Sequence, residues 1–398
     1  MDPYFVKYTV LVLVMPLTIP SPEQILFFGP KCENNCVKNR IISRLNELLT
    51  FDAFRKFFSP PRSATSCNKR SGSIEFQDTT RTTMDAVPHK FVDSVVGMFS
   101  RESLDELALN VTDTLWKPVI NLHYRNVVYY GIVFRKEKNG IKHLFLGMND
   151  KVDLSVSTRI IRENGRFARI RYIKDFGIFP SSYWNEVDPL GEAETCRLLK
   201  TVTPLIDQVS SELGSYWGTP WGVEPLLPSL FKRVHFRSIK LHNCGQISHD
   251  FLEDQINNSL FLNSVWLLGS DWPQSTVELL WKMCLKGRPG KYVTVSLTTT
   301  LIDTAFIRNL FDHWKENGNL HFKLCCPVQD KDGIRALMGK EKIDEQYPFP
   351  SERVFIHERE KSIAILSEGS IPIKCYTCEC DRSKVCLLNI VHPQYHDA

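Results

Sequence analysis

The stretch VHFRSIKLHNC, Val234 to Cys244, places Phe236, Ile239, Leu241 and Cys244 at spacings of three, two and three. The spacing returns three times. Leu262, Val265 and Leu267 carry it in LNSVWLLGS, and Tyr292, Val295 and Leu297 in YVTVSLTTT. Asn319, Phe322 and Leu324 carry it in NLHFKLCC with a polar first position. The central positions Ile239, Val265, Val295 and Phe322 stand 26, 30 and 27 residues apart.

That period is close to the strand-helix unit of leucine-rich repeats. The intervening segments supply the helices. Phe251, Leu252 and Ile256 form a short apolar stripe after Ser248, and Val277, Leu280, Trp281 and Cys284 follow Pro273 at helical spacing. Asp303 stands as an N-cap before Phe306, Ile307, Leu310, Phe311 and Trp314. A parallel strand-helix solenoid of this kind buries Ile239, Leu241, Val265, Leu267, Val295, Leu297, Phe322 and Leu324. The alternate residues then line an open sheet face: Ser238, Lys240, His242, Ser264, Trp266, Leu268, Thr294, Ser296, Thr298, His321, Lys323 and Cys325. Either a cap covers Trp266 and Leu268, or the face is a partner surface with Lys240, His242, Trp266, Leu268, Thr298 and Lys323 as its contacts.

A chain of 398 residues with 43% hydrophobic residues is long and apolar enough for two or three domains. Residues 1–83 carry eleven Lys/Arg against seven Asp/Glu, leaving 38 of each in the remainder. A neutral body argues against nucleic acid and against an anionic membrane as partners. Twelve cysteines are dispersed through expected strands and helices, the usage of buried reduced thiols in a cytoplasmic or nuclear protein. The sequons at Asn110 and Asn257 fall in expected helices and are read as chance.

YTVLVLVMPLTI, Tyr8 to Ile19, is similar to the apolar part of a signal peptide, but Asp2 offsets Lys7 and no small-x-small cleavage site follows. It is too short to span a bilayer. Residues 1–83 are expected to form a poorly ordered extension with one amphipathic patch at Ile41–Phe58.

Domain-like order begins at Met84. Pro88 precedes Phe91, Val95 and Phe99 on one helical face; Leu104, Leu107 and Leu109 suggest a second helix, and Trp116 a third element. The Val-Pro dipeptide, the helix Phe91–Phe99, Leu104 and Trp116 resemble an F-box. With the phrases FLEDQINNSLFLNSVWLLG and DWPQSTVELL behind it, 84–398 resembles the nematode-expanded family of F-box-like proteins. The resemblance implies a Skp-type linker protein of a cullin ligase as partner, and a C-terminal domain that selects a protein substrate. Carried over residue by residue, Pro88, Phe91, Val95, Leu104, Leu107 and Trp116 are linker-binding or core positions. This sequence departs from the pattern at Val87, where a Leu is usual, and at the two residues before Trp116, where a basic pair is usual.

Residues 126–175 alternate like antiparallel strands, with Asn139-Gly140 as a hairpin signal. RFARIRYI, Arg166 to Ile173, adds a further strand whose arginines fit a solvated face. Leu198, Val202, Leu205, Val209 and Leu213 recur at helical spacing, so a helix from Glu192 to Leu213 kinked at Pro204 is expected. Trp217 and Trp221 then sit in a Gly/Pro-rich rigid linker.

Signatures of catalysis fail one by one. GRPGKYV, Gly287 to Val293, has Leu285 where a phosphate loop needs its first Gly. IHERE, Ile356 to Glu360, lacks the second His of a zinc-protease helix. The tail IKCYTCECDRSKVC is the sharpest metal candidate: Cys375, Cys378, Cys380 and Cys386, with His392 or His396, offer thiolate and imidazole ligands. The other reading makes Ile373–Cys380 and Val385–Ile390 the last antiparallel strands, with the cysteines as small apolar residues.

The sequence therefore specifies an α/β protein with a poorly ordered extension (1–83), an F-box-like helical module (84–125) and a β-rich connector with one long helix (126–230). A leucine-rich-repeat-like α/β region (231–330) and a strand-rich C-terminal cap (331–398) complete it. The expected role is non-enzymatic: the substrate-recognition subunit of a cullin-type ubiquitin ligase that needs no cofactor. A binding scaffold unconnected to ubiquitin, or a zinc-binding or secreted protein, are the alternatives.

Overall fold

The computed structural model describes residues 89–175, 181–215, 224–339, 352–381 and 386–396. The extension 1–83, Pro88, Trp217 and Trp221 lie outside the described residues. The chain divides into two units, Met1–Asn126 and Val127–Ala398.

In the first unit three helices are described: α1 (His89–Val96), α2 (Arg101–Asn110) and α3 (Trp116–Asn126). Ser100 caps α2 by accepting from the Ser103 amide, and Asp113 Oδ1 accepts from the amides of Leu115 and Trp116 to start α3. Val92, Val95, Val96, Leu104, Leu107, Trp116, Val119 and Ile120 are buried. His123 on α3 donates from Nε2 to Asp93 Oδ1 on α1 at 2.9 Å.

The second unit is built on one mixed sheet of eleven strands. Its elements run β1 (Val128–Glu137), β2 (Gly140–Leu146), α4 (Thr158–Asn164), β3 (Ala168–Asp175), α5 (Ser181–Asn185), α6 (Glu192–Val202), β4 (Glu212–Ser215) and α7 (Leu227–Leu230). Then follow β5 (Ser238–His242), α8 (Gln246–Asn258), β6 (Ser264–Leu268), α9 (Ser275–Leu285), β7 (Val293–Leu297), α10 (Thr304–Asn317) and β8 (Phe322–Cys325). The chain closes with α11 (Lys331–Leu337), β9 (Glu352–Ile356), β10 (Ser362–Ser367), β11 (Ile373–Thr377) and α12 (Leu387–Val391).

The strand order is β2-β1-β3-β4-β5-β6-β7-β8-β11-β10-β9. From β1 through β8 every neighbouring pair is parallel except the β1–β2 hairpin, and the chain advances one strand at a time in one direction. Right-handed crossovers that all step the same way put their helices on the same side of the sheet. One continuous core records this. It joins Ile239, Leu241, Val265, Leu267, Val295 and Leu324 to Phe251 and Leu252 of α8, Leu280 and Met283 of α9, and Ile307 and Leu310 of α10. Asp303 caps α10 as the sequence indicates, accepting from the Phe306 amide at 2.7 Å.

A buried amide locks the first of these units. Gln255 Oε1 accepts from the Phe236 amide at 2.9 Å and its Nε2 donates to the Val234 carbonyl at 2.7 Å. The two groups of an otherwise irregular lead-in are thereby satisfied inside the core.

The structure departs from expectation in several places. The segment 126–175 is not a separate antiparallel connector: β3 runs parallel to β1 because α4 intervenes, and both belong to the large sheet. Gly131 faces Tyr172 across that pair so closely that a Cβ there would lie 2.1 Å from the ring. The long helix stops at Val202, since Pro204 enters a 3₁₀ turn, Thr203–Leu205, and Leu213 lies in β4. Between β7 and β8 Val295 pairs with Leu324 and Val293 with Phe322, two residues from the spacing argument. A shift of two keeps every side chain on its expected face. His321, assigned to the open face, is completely buried, with its Nδ1 accepting from the Thr377 amide at 3.0 Å. Finally, the segment read as a last strand, Val385–Ile390, instead contains α12.

Candidate functional site

Among the described residues of the second unit, the face of the sheet opposite the main core is covered at its two ends and not in its middle. At the β1–β2 end Val133, Leu144, Leu146 and Tyr172 pack under Trp184 of α5. At the other end Ile363, Ile365 and Tyr376 pack under Cys386 and Leu388, where α12 folds back over β10 and β11. Between them two rows cross the parallel strands. One runs Glu212, Ser238, Ser264, Thr294, Lys323, and the next Lys174, Gly214, Lys240, Trp266, Ser296, Cys325.

Trp266 is 43% exposed, and Lys240 Nζ stands 5.4 Å from its ring centroid. Burial, with the nearby Lys174 adding to it, holds Lys240 below the usual lysine range. Burial and then Lys240 likewise lower His242, so its imidazole is neutral at pH 7. His242 Nε2 is enclosed without a hydrogen-bond partner among the described residues. Lys174 pairs with Glu212 at 2.5 Å. Of the other positions assigned to this surface, Lys323 is half-buried and Thr298 exposed, whereas Leu268 and Ser296 are buried. Lys174 and Glu212 escaped sequence reasoning because the expected strand ended at Ile173 and Glu212 was placed in the expected helix, whereas the structure puts them in β3 and β4.

In the helical unit, Val95, Leu104, Leu107 and Trp116 are buried and Phe91 is half-buried. They form its interior, while the side chains it offers outward include Leu109, 82% exposed, and Met98.

The C-terminal cysteines separate into two kinds. Cys375 points into the main core, and burial raises its thiol well above the usual range. Cys378 and Cys380 leave the end of β11, Cys386 caps the start of α12, and His396 follows the 3₁₀ turn Pro393–Tyr395. Their ligand atoms all lie within 4.8 Å of one another. His396 Nε2 is 3.4 Å from Cys378 Sγ and 3.0 Å from Cys380 Sγ, and Cys378 and Cys386 sulfurs are 3.9 Å apart. His392 stays out, with its ring 5.3 Å from Tyr376. The thiols do not share charge equally. Hydrogen bonding with Cys378, followed by burial and Cys386, pushes Cys380 up to about 12. Burial opposes ionisation of Cys386, but the amides of Glu379 and Asn389 and the two other thiols outweigh it and lower its pKa.

The remaining sequence motifs have structural employment. Gly287 lets the end of α9 approach β8, since a Cβ there would lie 2.4 Å from the His321 carbonyl oxygen. Lys291, which burial and then Lys286 push down to about 8, donates from Nζ to the Leu260 carbonyl. His357 donates to the Lys315 carbonyl through Nε2 and accepts from the Arg359 and Glu360 amides at Nδ1.

Compared with protein-family models, curated proteins and solved structures, the chain has no significant match. Among the described residues no helix is long and apolar enough to cross a membrane.

Proposed function

We propose that this protein is a non-enzymatic adaptor. In this reading the middle of the free sheet face captures an acidic segment of a protein substrate, and the helical unit engages the Skp-type linker of a cullin ligase. The observation that carries the proposal is the strip between the two capped ends that the described residues of the second unit leave uncovered. It holds a half-exposed tryptophan on a rigid sheet, with Lys240 beside its ring, Lys174 and Lys323 on the same face, and Glu212 paired with Lys174. Aromatic anchors fixed on rigid elements concentrate binding energy, and the cationic surround selects acidic partners. The unidirectional parallel order of β3 to β8 supports a leucine-rich-repeat-like solenoid, and the three helices His89–Asn126 are compatible with the F-box-like module. An adaptor needs no catalytic group, because holding a target beside a ligase raises its effective concentration.

The test has two arms on the full chain. Purified Skp-type linker is captured by the wild type and lost with Leu109→Glu or Met98→Glu, exposed positions whose replacement spares the helical interior. Glu/Asp-rich peptides bind the wild type at least about tenfold more tightly than Trp266→Ala or Lys240→Glu, the loss expected for a hot-spot anchor. Capture of acidic peptides without the linker would reduce the protein to a scaffold outside the ubiquitin system; failure of both arms would end the adaptor reading.

A further inference from the structure

We propose that Cys378, Cys380, Cys386 and His396 bind one zinc ion in a closed Cys3His site that fastens the C-terminal cap to the sheet. This stands apart from the adaptor reading and rests on different residues.

Geometry comes first. A tetrahedral zinc with Zn–S of about 2.3 Å and Zn–N of about 2.0 Å sets its sulfurs about 3.8 Å apart and sulfur and nitrogen about 3.5 Å apart. The cluster shows 3.9 Å between the Cys378 and Cys386 sulfurs and 3.4 and 3.0 Å from the Cys378 and Cys380 sulfurs to the imidazole nitrogen. Three soft sulfurs and one imidazole are the donor set zinc prefers, and four protein ligands leave no position for a substrate or water. The site is accordingly structural. Loading it displaces the three thiol protons to solvent and leaves the neutral imidazole as the fourth donor.

Glu379, between two of the ligands, holds their arrangement. Its amide donates to Cys386 Sγ at 3.5 Å, and its carboxylate accepts from the amides of Leu387 at 3.2 Å and Gly290 at 2.8 Å. The knuckle is thereby tied both to α12 and to the turn before β7, the outer support that orients metal ligands.

Neither apolar packing nor a disulfide accounts for the whole cluster. Burial as small apolar residues suits Cys284, Cys326 and Cys375, yet Cys380 is exposed. A Cys378–Cys386 disulfide would leave Cys380 and His396 converging on the same point for no purpose. The cap itself needs an anchor: α12 has only five residues, too few to persist alone, yet its Leu388 is fully buried.

The experiment uses the reduced full chain, loaded with zinc and then desalted, and elemental analysis. One zinc per chain is expected, and cobalt in its place gives tetrahedral d–d bands with strong thiolate charge transfer. Cys380→Ser, at an exposed position that does not disturb packing, weakens zinc at least about tenfold in competition with a chromophoric chelator, since even outer-shell changes have such an effect. Cys325→Ser, outside the cluster, retains the metal. Substoichiometric zinc with no cobalt bands in folded protein would overturn the site. So would Cys380→Ser binding zinc like the wild type, or a Cys378–Cys386 disulfide found by mass spectrometry in unreduced protein.

Discussion

Strands β5 and β10 belong to one sheet but differ in what their free face carries. In β5 burial alternates: Ile239 and Leu241 are enclosed while Ser238, Lys240 and His242 are half-exposed. In β10 every residue is buried, with Ala364 and Leu366 in the main core and Ile363 and Ile365 beneath α12. A polar face can be left to solvent or to a partner, whereas an apolar one must be covered. This is why, among the described residues, the two ends of the sheet carry small caps and the middle does not, and why a cap as short as α12 calls for a separate fastener.

Substitutions at the covered end, in the shared core and on the open strip should differ in size. Leu388→Ala empties the covered end and is expected to cost about 2–5 kcal/mol, read by chemical denaturation. Gln255→Leu leaves the Phe236 amide and the Val234 carbonyl buried without partners and should cost about 2–4 kcal/mol, although it touches neither cap nor open strip.

Acid should act under the covered end as well. His321 lies enclosed between Tyr292 and Tyr376 at ring separations of 5.0 and 6.1 Å, and burial holds its pKa below the ordinary value, against the opposing pull of the Glu379 carboxylate. The folded state therefore resists a proton that the unfolded chain accepts near pH 6.5. Stability present above that pH is lost as pH falls through it, and His321→Asn, which keeps an acceptor for Thr377, should flatten the Tm profile between about pH 7.5 and 5.5. The smallest effect on stability belongs to the open strip: Trp266→Ala should change unfolding free energy by no more than about 0.5 kcal/mol while removing partner binding.

Much of the parallel region was legible because its apolar spacing is repeated and its helices carry ordinary caps, Asp303 above all. The two-residue offset at Phe322 arose because Phe322 and Leu324 are both apolar and share a face, so spacing alone does not choose between them. The parallel pairing of β3 with β1 was hidden by the strong Asn139-Gly140 hairpin signal and by a crossover helix of only seven residues. Leu213 continued a helical period across Pro204 by coincidence. In the tail, the cysteines were visible as ligand types, but C-x-x-C drew Cys375 into the set. The strand places Cys375 in the core while Cys378 lies beyond its end, and only the return of the chain through α12 brings His396 to the other three.

Two adjacent native thiols put the alternation of covered and open surface to the test. Cys325 sits half-exposed in the Trp266 row, whereas Cys326 is 2% exposed and burial, followed by Cys325, pushes its thiol up to about 12. Alkylation of the native reduced chain, followed by peptide-resolved mass spectrometry, should label Cys325 at least about tenfold faster than Cys326, which reacts only on unfolding. Equal rates at the two positions, or faster labelling of Cys326, would contradict the assignment of the faces.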